Sequence, residues 1–179
     1  MHNRITFILT LFFGIVFSGS AQEKSVPIEL QVLKGAVGVW DASIKVWPKG
    51  PGSTPIEFKG VETNRSYGEY WIASDFDSEF MGQTTKVHSI VGYDLDEKMM
   101  VGKVIDQGPY AAKMTGDYIK ESKTVHWTTK VKGPGGTPIL QKTTVTQVSA
   151  DERLLVLSVP KKDEEGFVKF MQIKFVRRK

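Results

Sequence analysis

Cysteine is absent from all 179 positions. That excludes disulfide staples, a thiolate zinc centre, a cysteine nucleophile and lipid attachment at a mature N-terminal cysteine. The fold must therefore rest on a hydrophobic core, which a chain of this length can build. Histidine is scarce too, with three residues (His2, His88 and His126), so there is little material for imidazole catalysis or metal binding. Neither sign of charge dominates: 24 Lys plus Arg stand against 20 Asp plus Glu. The lysines are spread along the chain without a basic stripe, which gives no reason to expect nucleic acid as a partner. Long apolar runs are missing after Phe17.

The one apolar run, Ile5–Phe17, follows Arg4 and precedes the small residues Ser18, Gly19, Ser20 and Ala21. It is shorter than the ~20 residues that cross a bilayer. The pattern of basic start, apolar stretch and small-residue cleavage site predicts a signal peptide over residues 1–21, cut before Gln22. The expected product is an exported, periplasmic or extracellular protein with a single domain over residues 22–179.

Helical spacing is confined to Ile28–Val37, ended by Gly38. Beyond it, period-two segments alternate with nine turn signals: Pro48–Pro55, Gly68, Glu79–Gln83, Leu95–Lys98, Gln107–Pro109, Glu121–Lys123, Gly133–Pro138, Ala150–Arg153 and Lys161–Gly166. Ten strands follow. Trp40, Ala42, Ile44 and Val46 oppose Asp41, Ser43 and Lys45, and similar alternation runs through Thr85–Asp94, Val125–Lys132 and Met171–Phe175. Met99–Asp106 and Arg153–Val159 are apolar on both faces, which leaves their orientation open. Short connections favour an all-β, antiparallel, up-and-down barrel of about ten strands over a sandwich, and closure removes exposed edges. An outer-membrane barrel needs an apolar outer face. Here the second face carries Lys86, His88, Lys113, Asp117, Lys130 and Lys132, so membrane insertion is not expected.

Gly38-Val39-Trp40 opens the first strand, and Ile173-Lys174-Phe175-Val176-Arg177-Arg178 ends the last. This pairing resembles the calycin superfamily of lipocalins and fatty-acid-binding proteins, in which a late basic residue packs across the indole of a Gly-x-Trp. The resemblance implies a lipocalin-like barrel closed by Gly38, Trp40 and Arg177, with Arg178 as the alternative cation. Leu33, Val37–Asp41, the Pro48–Pro55 hairpin, Met81-Gly82-Gln83, Gly92-Tyr93-Asp94, Asp106 and the basic terminal strand are together similar to an exported bacterial family. That family is known only as a domain of unknown function, number fifteen seventy-nine. Val104 departs from it, since Trp is more usual at that position. The family implies a fold and no activity.

His88 and His126 fall on the charged face, which places catalytic triads, metals and haem away from any cavity. The glycine-rich Gly133–Gly136 lacks the helix and Lys-Ser/Thr of a phosphate loop and reads as a hairpin. Asp75, Asp77 and Glu79 lack the rest of a calcium loop. No catalytic residue, metal or cofactor is assigned. The inward face instead gathers Tyr70, Ile72, Tyr93, Met114, Tyr118, Trp127, Met171 and Ile173 as candidate ligand-binding residues for a small hydrophobic or amphipathic molecule. Lys103 and Lys169 are the cations nearest that face, and Phe80 with Met81 forms a candidate apolar lip. Two other readings stand beside it. One is a structural or protein-interaction module of the cell envelope with a filled barrel, and the other is an enzyme using Tyr93 with Asp106 as acid and base.

Overall fold

The computed structural model describes residues 26–80, 82–133, 136–162 and 164–179. The proposed signal peptide and Met81 lie outside the described residues. One short helix, α1 (Ile28–Gly35), precedes ten strands: β1 (Gly38–Val46), β2 (Ile56–Tyr67), β3 (Trp71–Phe80), β4 (Gln83–Asp94), β5 (Met99–Ile105), β6 (Ala111–Ile119), β7 (Thr124–Lys132), β8 (Pro138–Ser149), β9 (Glu152–Pro160) and β10 (Phe167–Arg177). Each strand pairs antiparallel with its successor, and β1 pairs with β10, closing the barrel. The expected up-and-down architecture is observed, and all nine punctuated segments hold the chain reversals.

The helix ends two residues earlier than its spacing suggests. Ala36 N–H donates to the Leu33 carbonyl (2.9 Å) and Val37 N–H to the Lys34 carbonyl (3.1 Å), so the last turn tightens toward β1. Glu29 in the first turn and Lys34 in the last complement the helix dipole. Leu30 and Leu33 are buried. Leu33 packs with Ile72, Met100, Val125 and Trp127, so α1 plugs one end of the barrel. A second cluster, Trp40, Ala42, Ile44, Ile173 and Phe175, lines the seam between the first and last strands.

The seam is fixed by side chains as well as by the ladder. Trp40 lies opposite Arg177 in register, and the guanidinium sits 4.2 Å from the indole centroid. Arg177 also donates to the carbonyls of Val37 (2.6 Å) and Gly35 (2.8 Å), while Trp40 Nε1 donates to Ala36 O (2.8 Å). A cation at the C-terminal carbonyls of a helix meets its negative end, so one side chain holds both the seam and the plug. Gly38 makes this possible. Its φ of +129° is unfavourable for any L side chain, and a Cβ there would stand 2.7 Å from Arg177 Nη1.

Candidate functional site: an apolar cavity with a charged floor

The inward faces enclose a cavity of about 1600 Å3, larger than the usual ~300–1,000 Å3 of small-molecule pockets. Val32 and Leu33 of α1, with Ala36 just after it, form its floor. At the other end Pro48, Ile56, Phe80, Pro109, Tyr110 and Pro138 surround the mouth. The wall between is mainly aliphatic and aromatic, with Ser74, Ser89, Thr129 and Thr143 as scattered hydroxyls. Small inward residues hold the wall open or let large ones lie flat. Gly116 faces Trp127 so closely that a Cβ would come within 2.6 Å of the indole.

Of the sequence-derived candidates, Ile72, Met114, Trp127, Met171 and Ile173 line this cavity. Tyr93 and Tyr118 pack against the cluster around Leu33, at strand ends filled by α1, and do not reach the lining. Tyr70 is a correction. Alternation back from Ile72 points it inward, but β3 starts at Trp71, which leaves Tyr70 in the β2–β3 turn at 36% exposure. Lys103 and Lys169 are corrected as well. Lys103 is exposed and opposite Lys113 on the outer face, because Gly102 and Val104 are the β5 residues that look inward. A register shift between Lys169 and Met171 takes Lys169 out of phase, and its ammonium rests 4.1 Å from the Trp47 centroid. Phe80 lines the mouth and stands 4.9 Å from Phe58, centroid to centroid.

Tyr93 and Asp106 do not meet. Tyr93 pairs with Met100, whereas His88 pairs with Ile105, the residue before Asp106. Met100 and Asp106 are six residues apart, which separates Tyr93 from Asp106 by about 20 Å along the strand direction. His88 and His126 are exposed on the outer face as expected. His88 Nδ1 lies 2.7 Å from Asp75 Oδ1, and Asp75 also pairs with Arg65. The hydrogen bond from His88 is the main cause that holds the Asp75 carboxyl below its ordinary value, with Arg65 adding to it. Among the described residues no group of three or more His, Asp or Glu is placed to hold a metal ion.

Six charged residues line the cavity: Asp106, Lys123, Lys130 and Lys132 are exposed, whereas Glu62 and Arg153, near its floor, are largely buried. Glu62 follows Phe58 and Gly60 on the inward face of β2, opposite Trp40. Arg153 is in phase with Leu155 and Leu157 on β9, opposite Phe175. Its side chain crosses two strands, with its cation 4.3 Å from the Phe175 centroid and 4.5 Å from that of Trp40, to donate to Glu62. Asn64 Nδ2 donates to the same Glu62 oxygen (2.8 Å) and to Ala36 O (3.0 Å). Burial, and then the nearby charge of Arg177, pushes the Arg153 guanidinium down to about 9. At that value the Arg153 guanidinium still carries its charge at neutral pH.

Arg153 was concealed because Arg153–Val159 is apolar on either face, while Glu62 shares the phase of Phe58 on β2. The available signal was the phase of Arg153 with Leu155 and Leu157. Arg153 is 7% and Asn64 2% exposed, and Arg153 Nε and Asn64 Oδ1 have no hydrogen-bond partner among the described residues. The floor therefore keeps one donor and one acceptor unused, in a setting where such groups are normally satisfied.

A closed ten-stranded antiparallel barrel, plugged by a helix and closed by an arginine on a tryptophan, has the lipocalin-like fold. Residues 28–177 match DUF1579, described as a protein of unknown function, and the chain belongs to that family. Solved structures that share the fold include the following two. The S-type phycobiliprotein lyase CPES from Guillardia theta has a TM-score of 0.60 and 12% identity, over 87% of this chain and 94% of that one. Rv2717c from M. tuberculosis has a TM-score of 0.61 and 11% identity, over 86% and 99%. At such identities the likeness is one of fold. No curated protein matches the chain.

Proposed function

We propose that the protein is an exported carrier that holds one small amphipathic molecule inside the barrel. The observation that carries this reading is the polarity of the cavity: a long apolar wall ends at a floor bearing Glu62, Arg153 and Asn64. Apolar surface of this extent favours a hydrocarbon body, since each buried CH2 contributes about 0.8 kcal/mol. The polar side chains of Glu62, Arg153 and Asn64 in the floor favour a polar group at the inner end of the cargo. The volume of the interior also speaks against a barrel filled by its own side chains.

Displacement of an environment-sensitive apolar dye tests the proposal. The dye is expected to bind with one-to-one stoichiometry and to be displaced by medium- and long-chain amphiphiles, with quenching of Trp127, which lines the cavity. Absence of any dye or amphiphile binding by well-folded protein contradicts it.

A further inference from the structure

The lysines that look scattered along the sequence are gathered by the register. Lys103 on β5 lies directly opposite Lys113 on β6, and Lys113 directly opposite Lys130 on β7. All three are exposed, Lys130 also bordering the cavity, and none takes part in an ion pair among the described residues. This corrects the expectation of no basic stripe. Side chains directly opposite on antiparallel strands stand about 5 Å apart, and like charges placed so are destabilising. Elsewhere on this barrel the outer face pairs cations with acids: Lys45 with Glu57, Lys86 with Asp77 and Lys174 with Glu152. The row is an exception to that habit.

What surrounds the row narrows the partner. Ile90 pairs with Lys103 and Leu140 with Lys130, so both ends are apolar. Two residues beyond Lys103, toward the mouth, Ile105 is 46% exposed, and Tyr110 in the following loop is 57% exposed. Lys132 holds its ammonium 4.0 Å from the Tyr110 centroid, adding a fourth cation at the rim. On the same strands stand two acids, Asp106 just after β5, whose carboxylate accepts from Gly108 N–H (2.7 Å), and Asp117, four residues along β6 from Lys113 and opposite His126. Neither is opposite a lysine of the row. Lysines beside exposed aromatic and aliphatic side chains are the chemistry of a peripheral lipid contact, in which cations meet anionic headgroups and apolar groups enter the acyl boundary.

We infer that the β5–β7 wall and the adjoining mouth dock on a membrane surface carrying anionic phospholipid, with Lys103, Lys113 and Lys130 meeting the headgroups and Ile105 and Tyr110 entering the interface. This is surface docking, without insertion of the barrel, and it does not require an occupied cavity.

Vesicle sedimentation tests it, using phosphatidylcholine vesicles with and without phosphatidylglycerol, and heparin as a soluble polyanion. Binding is expected with phosphatidylglycerol and not without it. Lys103→Gln, Lys113→Gln and Lys130→Gln combined should lower partitioning roughly a hundredfold, while Lys34→Gln, Lys120→Gln and Lys179→Gln, with the same net charge, leave it within about twofold of the parent. The row variant should also unfold at a higher urea concentration than the parent, because like-charge crowding is relieved. Ile105→Ser with Tyr110→Ser should weaken vesicle binding and leave heparin binding unchanged. Four results overturn the inference: equal binding to neutral vesicles, an equal loss in the control variant, a lowered urea midpoint for the row variant, or row-dependent binding to heparin with none to vesicles. The last of these points to a soluble acidic partner.

Discussion

Arg153 donates to Glu62 across the floor of the barrel, joining residues 91 positions apart on β9 and β2. The guanidinium passes over Phe175 and Trp40 on the two strands between them, so one side chain bridges the seam from the inside. Arg177 bridges it from the end of the barrel, over the same indole. Trp40 thus lies between two cations, Arg153 paired with Glu62 and Arg177 paired with Asp151 and with the carbonyls of Gly35 and Val37.

Removing one partner of the floor pair should cost more than removing both. Arg153→Met leaves the Glu62 carboxylate largely buried without its cation, for which about 3–5 kcal/mol of destabilisation is expected. Arg153→Met with Glu62→Leu should recover most of that loss. Urea unfolding of the parent, the two single variants and the double variant measures the difference. A double variant as unstable as Arg153→Met alone contradicts the account of the floor.

Closure at the seam makes a separate demand. Arg177→Met removes a cation–π contact, hydrogen bonds to the Gly35 and Val37 carbonyls and an exposed pairing with Asp151, with an expected loss of about 2–4 kcal/mol. Gly38→Ala forces a side chain into positive φ and against Arg177, and should cost more than about 1 kcal/mol. Both should also loosen α1, read as faster amide exchange at Leu30 and Leu33 than at Val87 in mid-barrel.

Room in the cavity can be tested by filling it. Ser89 lines the wall midway along β4, opposite Ser74. In a filled core, Ser89→Phe would overpack and cost about 1–3 kcal/mol. In the hollow barrel it should change stability by less than about 1 kcal/mol while weakening dye binding at least tenfold. Parallel urea and fluorescence titrations separate the two outcomes.

Asp75 offers a pH test on the outer face. Its folded-state pKa is lowered, chiefly by the hydrogen bond from His88. The interaction therefore contributes above the unfolded pKa and is lost as pH falls through the folded one. Carboxyl NMR titration should place the Asp75 midpoint below 3.8, and His88→Ala should move it upward. No appreciable stability is expected to hang on it, because the pair is exposed.

The strands were legible because turn residues punctuate them and most have one wet face. Closure was legible through Trp40 and the basic terminal strand. Strand start points were less so, as Tyr70 shows: alternation does not say where a ladder begins. Phase inside doubly apolar segments was hidden too, which concealed Arg153 and misdirected attention to Lys103. The lysine row was invisible for a different reason. Lys103, Lys113 and Lys130 become neighbours only after the registers of two hairpins are known, and spacing along the chain does not carry that information.

The central claim is that the barrel carries a cargo, and native mass spectrometry of protein purified from its own host, followed by denaturing mass spectrometry and organic extraction, tests it most directly. The account predicts a discrete added mass, lost on denaturation and recovered in the extract as one amphipathic compound class. A bare polypeptide mass from the host, together with no uptake of long-chain amphiphiles by the refolded protein, would contradict it.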